Sequence, residues 1–365
     1  MGFALQNARS HALEQIDRTL ASIYRRFPHY TEGGQWVTTE NGGWSGGMWV
    51  GQLWIAYQWT GDDRYRDAAL DLLPVLEARI DKPDANFDLG FLLVPSFVRG
   101  YRVLGDDRLC QVALRGAKRL LDFFHERAGL IYTTYPERTV RYGRPVGSAI
   151  VDIMMNLGLL WWAHMETNDS RYYKLGFTHT ERTAELHMRS DGSTFHVVDF
   201  DLDSGEILRK GTIHGQSDNS TWSRGQAWAL HGFALAYRAT GYSSFLKIAE
   251  RLSHHFYERL PADGRSYWDL CEPLAPETVR DASASSIAAA GWLKMRGEWP
   301  SIGSRLLRTL ADNSLVVGNA EGILGNATAY KTKQQGLHGA TVWGDYYFMQ
   351  GLTTGMGDQE GNFPY

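Results

Sequence analysis

Cysteine is scarce. The 365 residues contain two, Cys110 and Cys271, too few for a disulfide framework or a Cys-based zinc site. Positive charge is not in excess either: 37 Lys and Arg face 41 Asp and Glu, for a net charge of −4. No Lys/Arg-rich run occurs, so a nucleic-acid partner, which needs a basic stripe against phosphate, is not expected. Apolar runs such as 158–163 fall far short of the ~18 residues a bilayer-crossing helix requires, so no membrane partner is expected. The first twenty residues lack the apolar core of a secretory leader, which makes the cytoplasm the expected location. No His-Glu-x-x-His is present, and His254 and His255 would fall on different helix faces, so no metal site is expected. The glycine pairs Gly42-Gly43 and Gly46-Gly47 lack the lysine and the preceding strand of a phosphate loop.

Aromatic residues are abundant. There are 13 Trp, 18 Tyr and 15 Phe, and a large core accounts for most of them. Several Trp, however, sit beside Gly, Ser or Asp at the starts of segments. Flat aromatic faces with polar rims suit sugar rings.

The dominant period is helical. Leu5, Ala8, Ala12, Ile16, Leu20 and Ile23 recur at three- and four-residue spacing and predict an amphipathic helix over 4–25. Strand-like text is confined to about 130–146 and 193–214, the latter with a hairpin turn at Asp203-Ser204-Gly205. A weak repeat runs through 56–70, 100–114, 162–176 and 236–250, with a fifth copy at 297–310. Each copy reads as a helix end, a Gly or Asn cap, an Asp or Ser N-cap and a new helix.

One helix upstream of each turn the text becomes chemically similar. The stretches Gly43-Trp44-Ser45, Asn86-Phe87-Asp88, Ile150-Val151-Asp152, Trp222-Ser223-Arg224 and Asp281-Ala282-Ser283 occupy these positions, and Trp343-Gly344-Asp345 opens the last helix. Long loops precede these starts and short connections follow them. Six hairpins with polar and aromatic residues at the same end predict a closed ring, one all-α domain over 1–365, with a small β-hairpin in its loops.

Asp88 and Asp152 are single acids in apolar text at equivalent positions of neighbouring hairpins. Such a pair suits glycoside chemistry, in which one carboxyl keeps its proton near neutral pH. A helix N-terminus favours the charged form, so this role requires burial or the second carboxylate to raise the acid. Arg224 lies in the first turn of a helix, where a cation is disfavoured. An anionic partner explains it, either Asp218 or a substrate carboxylate. His196 reads as mid-strand, where a core role is the ordinary one.

Taken together these residues carry a resemblance. Gly43-Trp44-Ser45-Gly46, Asp88-Leu89-Gly90-Phe91, Val151-Asp152 with Met155-Asn156, Thr194-Phe195-His196, Trp222 to Trp228, Asp281 to Ser285 and Trp343 to Tyr347 resemble the unsaturated glucuronyl hydrolases, glycoside hydrolase family 88. The resemblance runs in order from about residue 20 to 352. It implies an (α/α)6 barrel acting on oligosaccharides that end in a uronic acid with a C4=C5 double bond, the products of polysaccharide lyases. It implies Asp152 as general acid/base and Asp88 as its essential neighbour. Trp44 would be a stacking wall, and His196, Trp222, Arg224 and Trp343 substrate contacts. His214 stands where the family has Gln, so His214 or Gln216 takes over that contact. No metal or organic cofactor is implied, and the chain is expected to be a monomer or weak homo-oligomer. Two other readings remain. One is a sugar epimerase or isomerase using His196, His214 and His338, which would conserve substrate mass. The other is a non-catalytic glycan-binding module.

Overall fold

The computed structural model describes residues 3–83, 85–272 and 278–355. Its helices fall into two sets. The first is amphipathic, as surface helices are: α1 (Phe3–Ile23), α3 (Asp63–Glu77), α6 (Asp107–Leu121), α10 (Ser170–Leu186), α12 (Ser243–Tyr257) and α14 (Trp299–Asn313). The second is apolar on nearly every face and therefore buried: α2 (Gly46–Thr60), α4 (Leu89–Leu93), α8 (Ile153–Asn156), α9 (Gly158–Thr167), α11 (Ser223–Thr240), α13 (Ala282–Trp292) and α15 (Val342–Gly355). A π turn at Val94–Val98 carries α4 into α5 (Arg99–Leu104), so these read as one bent inner helix, as do α8 and α9.

The inner helices close on themselves. Contacts run α2 to α4, α4 to α8, α8 to α11, α11 to α13, α13 to α15 and α15 back to α2. The fold is an (α/α)6 barrel, and the repeated turns are its hairpins. Gly61, Gly105, Asn168 and Gly241 end their inner helices in the left-handed conformation, which disfavours side chains with a Cβ. Asp62, Asp106 and Asp169 then accept a backbone N–H bond to start the outer helices.

Short antiparallel strands fill the loops at the mouth. β1 (Phe27–Glu32) pairs with β2 (Gln35–Thr39), and β3 (Phe124–His125) with β4 (Leu130–Ile131). β5 (Val146–Ile150), β6 (Val197–Asp201) and β7 (Ile207–Gly211) form one three-stranded sheet in that order. The expected strand over about 130–146 is interrupted by α7 (Pro136–Tyr142), where Pro136 sits at the favoured start of a short helix. His196 is on a bend just before β6 rather than mid-strand. Among the described residues no helix is long and apolar enough to cross a membrane.

The two acid-bearing helices approach unusually closely. A Cβ added at Gly90 would lie 2.3 Å from Asn156 Cα, and the Phe91 N–H donates to Asn156 Oδ1 at 2.7 Å. Gly90→Ala must push α4 and α8 apart. Overpacking of this kind costs about 1–3 kcal/mol, so urea unfolding should show that loss together with reduced turnover. A variant with unchanged midpoint would show that the helices tolerate the separation.

Candidate active site

The sheet register brings the central residues together. β5 runs into Asp152 and β6 starts just after His196, and Ile150 pairs with Val197. The Val151 N–H donates to the His196 carbonyl at 2.9 Å, so Asp152 and His196 must lie side by side. Ile213, two residues past β7, donates its N–H to His196 Nδ1 at 3.2 Å. That assigns Nδ1 as acceptor and leaves the ring proton on Nε2. Nε2 faces Asp152 Oδ1 at 3.4 Å, beyond good hydrogen-bond length.

Asp88 precedes α4 and Asp152 precedes α8. Neither side chain caps its helix, which frees both carboxyls for the mouth. Burial, then the charge of Asp152, raises Asp88 to about 7, against the opposing pull of Asn86 and Arg79. Asp88 is thus the carboxyl that burial penalises, and His196 stands beside Asp152. The Tyr135 phenol, just before α7, is also pushed up by burial and by Asp88 and Asp152, so it lies close to the same pair.

Around the acids stand aromatic rings. Trp222 lies 4.6 Å from the His196 ring and 5.0 Å from that of His214, while His196 and His214 stack at 5.1 Å. Burial, then His196, Arg224 and Lys333, holds His214 well below the ordinary histidine range. Trp44 packs on Trp343 at 4.8 Å and on Phe91 at 5.4 Å. Asp152 Oδ1, His196 Nε2, His214 Nδ1 and Trp222 Nε1 have no hydrogen-bond partner within the protein. These four atoms gather at one mouth.

Three expected contacts are placed elsewhere. Gln216 lies on an exposed turn, with its N–H donating to Asp269 Oδ2 at 2.9 Å, so of the two alternatives His214 is the one at the rings. Trp343 is fully buried, its indole donating to Ser283 Oγ at 3.1 Å, and it forms a floor beneath Trp44 rather than a surface. Arg224 is 1% exposed and engaged internally. It donates to Asp281 Oδ2, the Thr328 carbonyl and the Ala329 carbonyl, each at 2.6 Å, and lies against the rings of Trp222 and Trp343. Its anion is therefore Asp281, the N-cap of α13, not Asp218, which pairs with Arg209.

Sequence reasoning missed two mouth residues. Tyr330 follows the loop that Arg224 holds, and its hydroxyl receives the Trp44 indole N–H at 3.1 Å. His29 on β1 meets the same hydroxyl at 3.0 Å. The aromatic and basic text around Tyr330 was the available signal for the first; a His-Tyr pair in a strand gives little for the second. His338 lies outside this cluster on an exposed left-handed residue. Among the described residues no group of three or more His, Cys, Asp or Glu is arranged to hold a metal ion.

Coupled carboxyls at an aromatic mouth, on a ring of paired helices, define an α/α-barrel glycosidase. No protein-family model matches the chain. An unsaturated glucuronyl hydrolase from Bacillus sp. strain GL1 is 33% identical over 362 residues, covering 95% of this chain and 95% of the relative. An unsaturated chondroitin disaccharide hydrolase from Streptococcus pneumoniae is 30% identical over 86% of this chain and 82% of its own length. The crystal structure of the Bacillus sp. GL1 unsaturated glucuronyl hydrolase, responsible for glycosaminoglycan degradation, matches with a TM-score of 0.90 over 96% of each chain. The chain belongs to the unsaturated glucuronyl hydrolase family.

Two variants test this electrostatic arrangement. A carboxyl raised on folding opposes stability increasingly as pH climbs from the unfolded value toward its folded value of about 7. Asp88→Asn lacks that penalty, so its thermal midpoint relative to wild type should rise between pH 5 and pH 8. A constant difference would place Asp88 in ordinary solvent. Arg224→Lys cannot reach three acceptors with one ammonium, and should lower stability by about 1–3 kcal/mol in urea. Unchanged stability would show that the buried network does not need the guanidinium.

Proposed function

We propose that the protein removes the terminal 4,5-unsaturated uronic acid from oligosaccharides left by polysaccharide lyases, including unsaturated glycosaminoglycan disaccharides. The observation that carries this reading is the coupled pair, with Asp88 raised to about 7 next to Asp152. A carboxyl raised that far keeps a substantial share of its proton near neutral pH. Trp44 and Trp222 offer faces for the sugar ring. The neutral His214, with His196 stacked on it, and the nearby cations of Arg224 and Lys333 suit a sugar that carries a carboxylate.

The chemistry follows from an enol ether. Asp152 delivers a proton to C4, and positive charge develops at C5 and the ring oxygen. Water adds at C5, directly or after participation by a ring hydroxyl, and loses its proton to the carboxylate. The resulting hemiketal opens to a C5 ketone, and the hemiacetal left at C1 expels the aglycone. The anomeric carbon is not attacked, so carboxylate spacing does not report retention or inversion. Asp88 is the carboxyl raised to about 7, and a second reading makes Asp88 itself the donor. The nearness of His196 to Asp152 favours the first, because the imidazole N–H can hold the carboxylate after it has given up its proton.

Loss of ultraviolet absorbance on unsaturated disaccharides from chondroitin, hyaluronan, heparin, gellan, xanthan and ulvan identifies the substrate. In deuterated water the product should carry deuterium at C4. Asp152→Asn should lower kcat by about 10²–10⁴-fold or more while binding persists. A product without deuterium, or an Asp152→Asn enzyme keeping over about a tenth of wild-type kcat, would contradict the assignment. If Asp152→Asn turns over slowly and Asp88→Asn not at all, Asp88 is the donor. A product of unchanged mass would indicate an epimerase.

A further inference from the structure

His29 belongs to none of the inner helices, yet its ring reaches the mouth. It lies on β1, which joins the start of the chain to the loop before α15: the Thr31 N–H donates to the Ala340 carbonyl at 2.9 Å. The His29 ring stands edge-on to Trp44 at 5.9 Å and to Trp343 at 5.2 Å. Its two nitrogens face Ser45 Oγ at 2.8 Å and Tyr330 Oη at 3.0 Å.

Donor counting favours one arrangement. An indole N–H can only donate, so Tyr330 Oη accepts from Trp44 Nε1. The arrangement that also uses the one phenol proton gives it to His29 Nε2. His29 therefore carries its own proton on Nδ1 and donates to Ser45 Oγ. Ser45 is available because its side chain makes no capping bond to α2. A protonated imidazole would set two donors against the phenol proton. Burial, then the charge of Arg224, keeps the ring neutral by pushing it down to about 4. The relay Ser45–His29–Tyr330–Trp44 thus ties β1, the start of α2 and the loop held by Arg224 into one unit.

We propose that His29 is a positioning residue for the hydrolase reaction, fixing the Tyr330 phenol and the Trp44 indole as joined walls of the sugar subsite. It touches neither reacting carbon nor carboxyl, so its effect falls on binding. This rests on the glycosidase reading above.

The test uses His29→Gln, His29→Leu, Tyr330→Phe and the Leu/Phe double variant on an unsaturated disaccharide. Loss of the relay in His29→Leu should raise KM about tenfold, the equivalent of ~1.4 kcal/mol, with kcat within about twofold of wild type. His29→Gln, whose amide oxygen can accept from the phenol, should keep most of the wild-type KM. The double variant should be little worse than Tyr330→Phe alone, because losing the phenol hydroxyl already removes its bond to His29. Histidine ring nitrogen NMR on the wild type, with His29→Gln for assignment, should show the proton on Nδ1. A fall in kcat at unchanged KM, full additivity in the double variant, or a proton on Nε2 would overturn the proposal. A wild-type protein inactive on every unsaturated disaccharide would overturn the glycosidase reading and the sugar wall with it, and the ring tautomer would still decide whether the relay exists.

Discussion

Two carboxyl groups that repel one another are held at the ends of neighbouring helices, and the rest of the mouth is arranged around that constraint. Asn156 bonds the Phe91 N–H from the helix that Asp152 opens, and Gly90 lets the two backbones meet. With the separation fixed, burial can act. It drives Asp88 up to about 7, while His196, oriented by Ile213, stands beside Asp152. Position on a helix N-terminus alone would have kept both groups ionised. A proton is stored near neutral pH because desolvation and the second charge outweigh the helix end.

The cations serve this site at one remove. Arg224 is spent on Asp281 and on two carbonyls of the loop that leads to Tyr330. A buried pair of this kind is weak evidence for stability in itself, but breaking it strands a charge. Here it joins α11, α13 and the loop before α15, and its guanidinium braces Trp222 and Trp343 from behind. The positive charge still reaches the mouth, where it helps keep His29 and His214 neutral. Neutral imidazoles can both accept and donate, which a pair of fixed cations could not.

The hairpin ring was legible because it is written in local signals. Three of the turns use a left-handed cap followed by an Asp N-cap, and these act within a few residues of sequence. The acids were legible because Asp88 and Asp152 recur at one position of successive units. What failed depended on distant pairing. The partner of Arg224 lies 57 residues away in another unit, so the nearer Asp218 was an equally good candidate. Trp343 and Trp44 look alike in sequence, but ring closure buries the first beneath the second. His29 and Tyr330 are 301 residues apart and meet only because β1 pairs with the loop before α15. Gln216 and His214 are separated by one glycine, and only the turn decides which faces in.

The central claim is that burial and the charge of Asp152 raise the Asp88 carboxyl to about 7. Carbon NMR titration of aspartate-labelled protein measures this directly, with Asp88→Asn and Asp152→Asn for assignment. The account predicts a carboxyl titrating at about 7 that is absent from Asp88→Asn and shifts downward in Asp152→Asn, where the neighbouring charge is gone. Both mouth carboxyls titrating in the ordinary aspartate range, with no response of Asp88 to loss of the Asp152 charge, would contradict it.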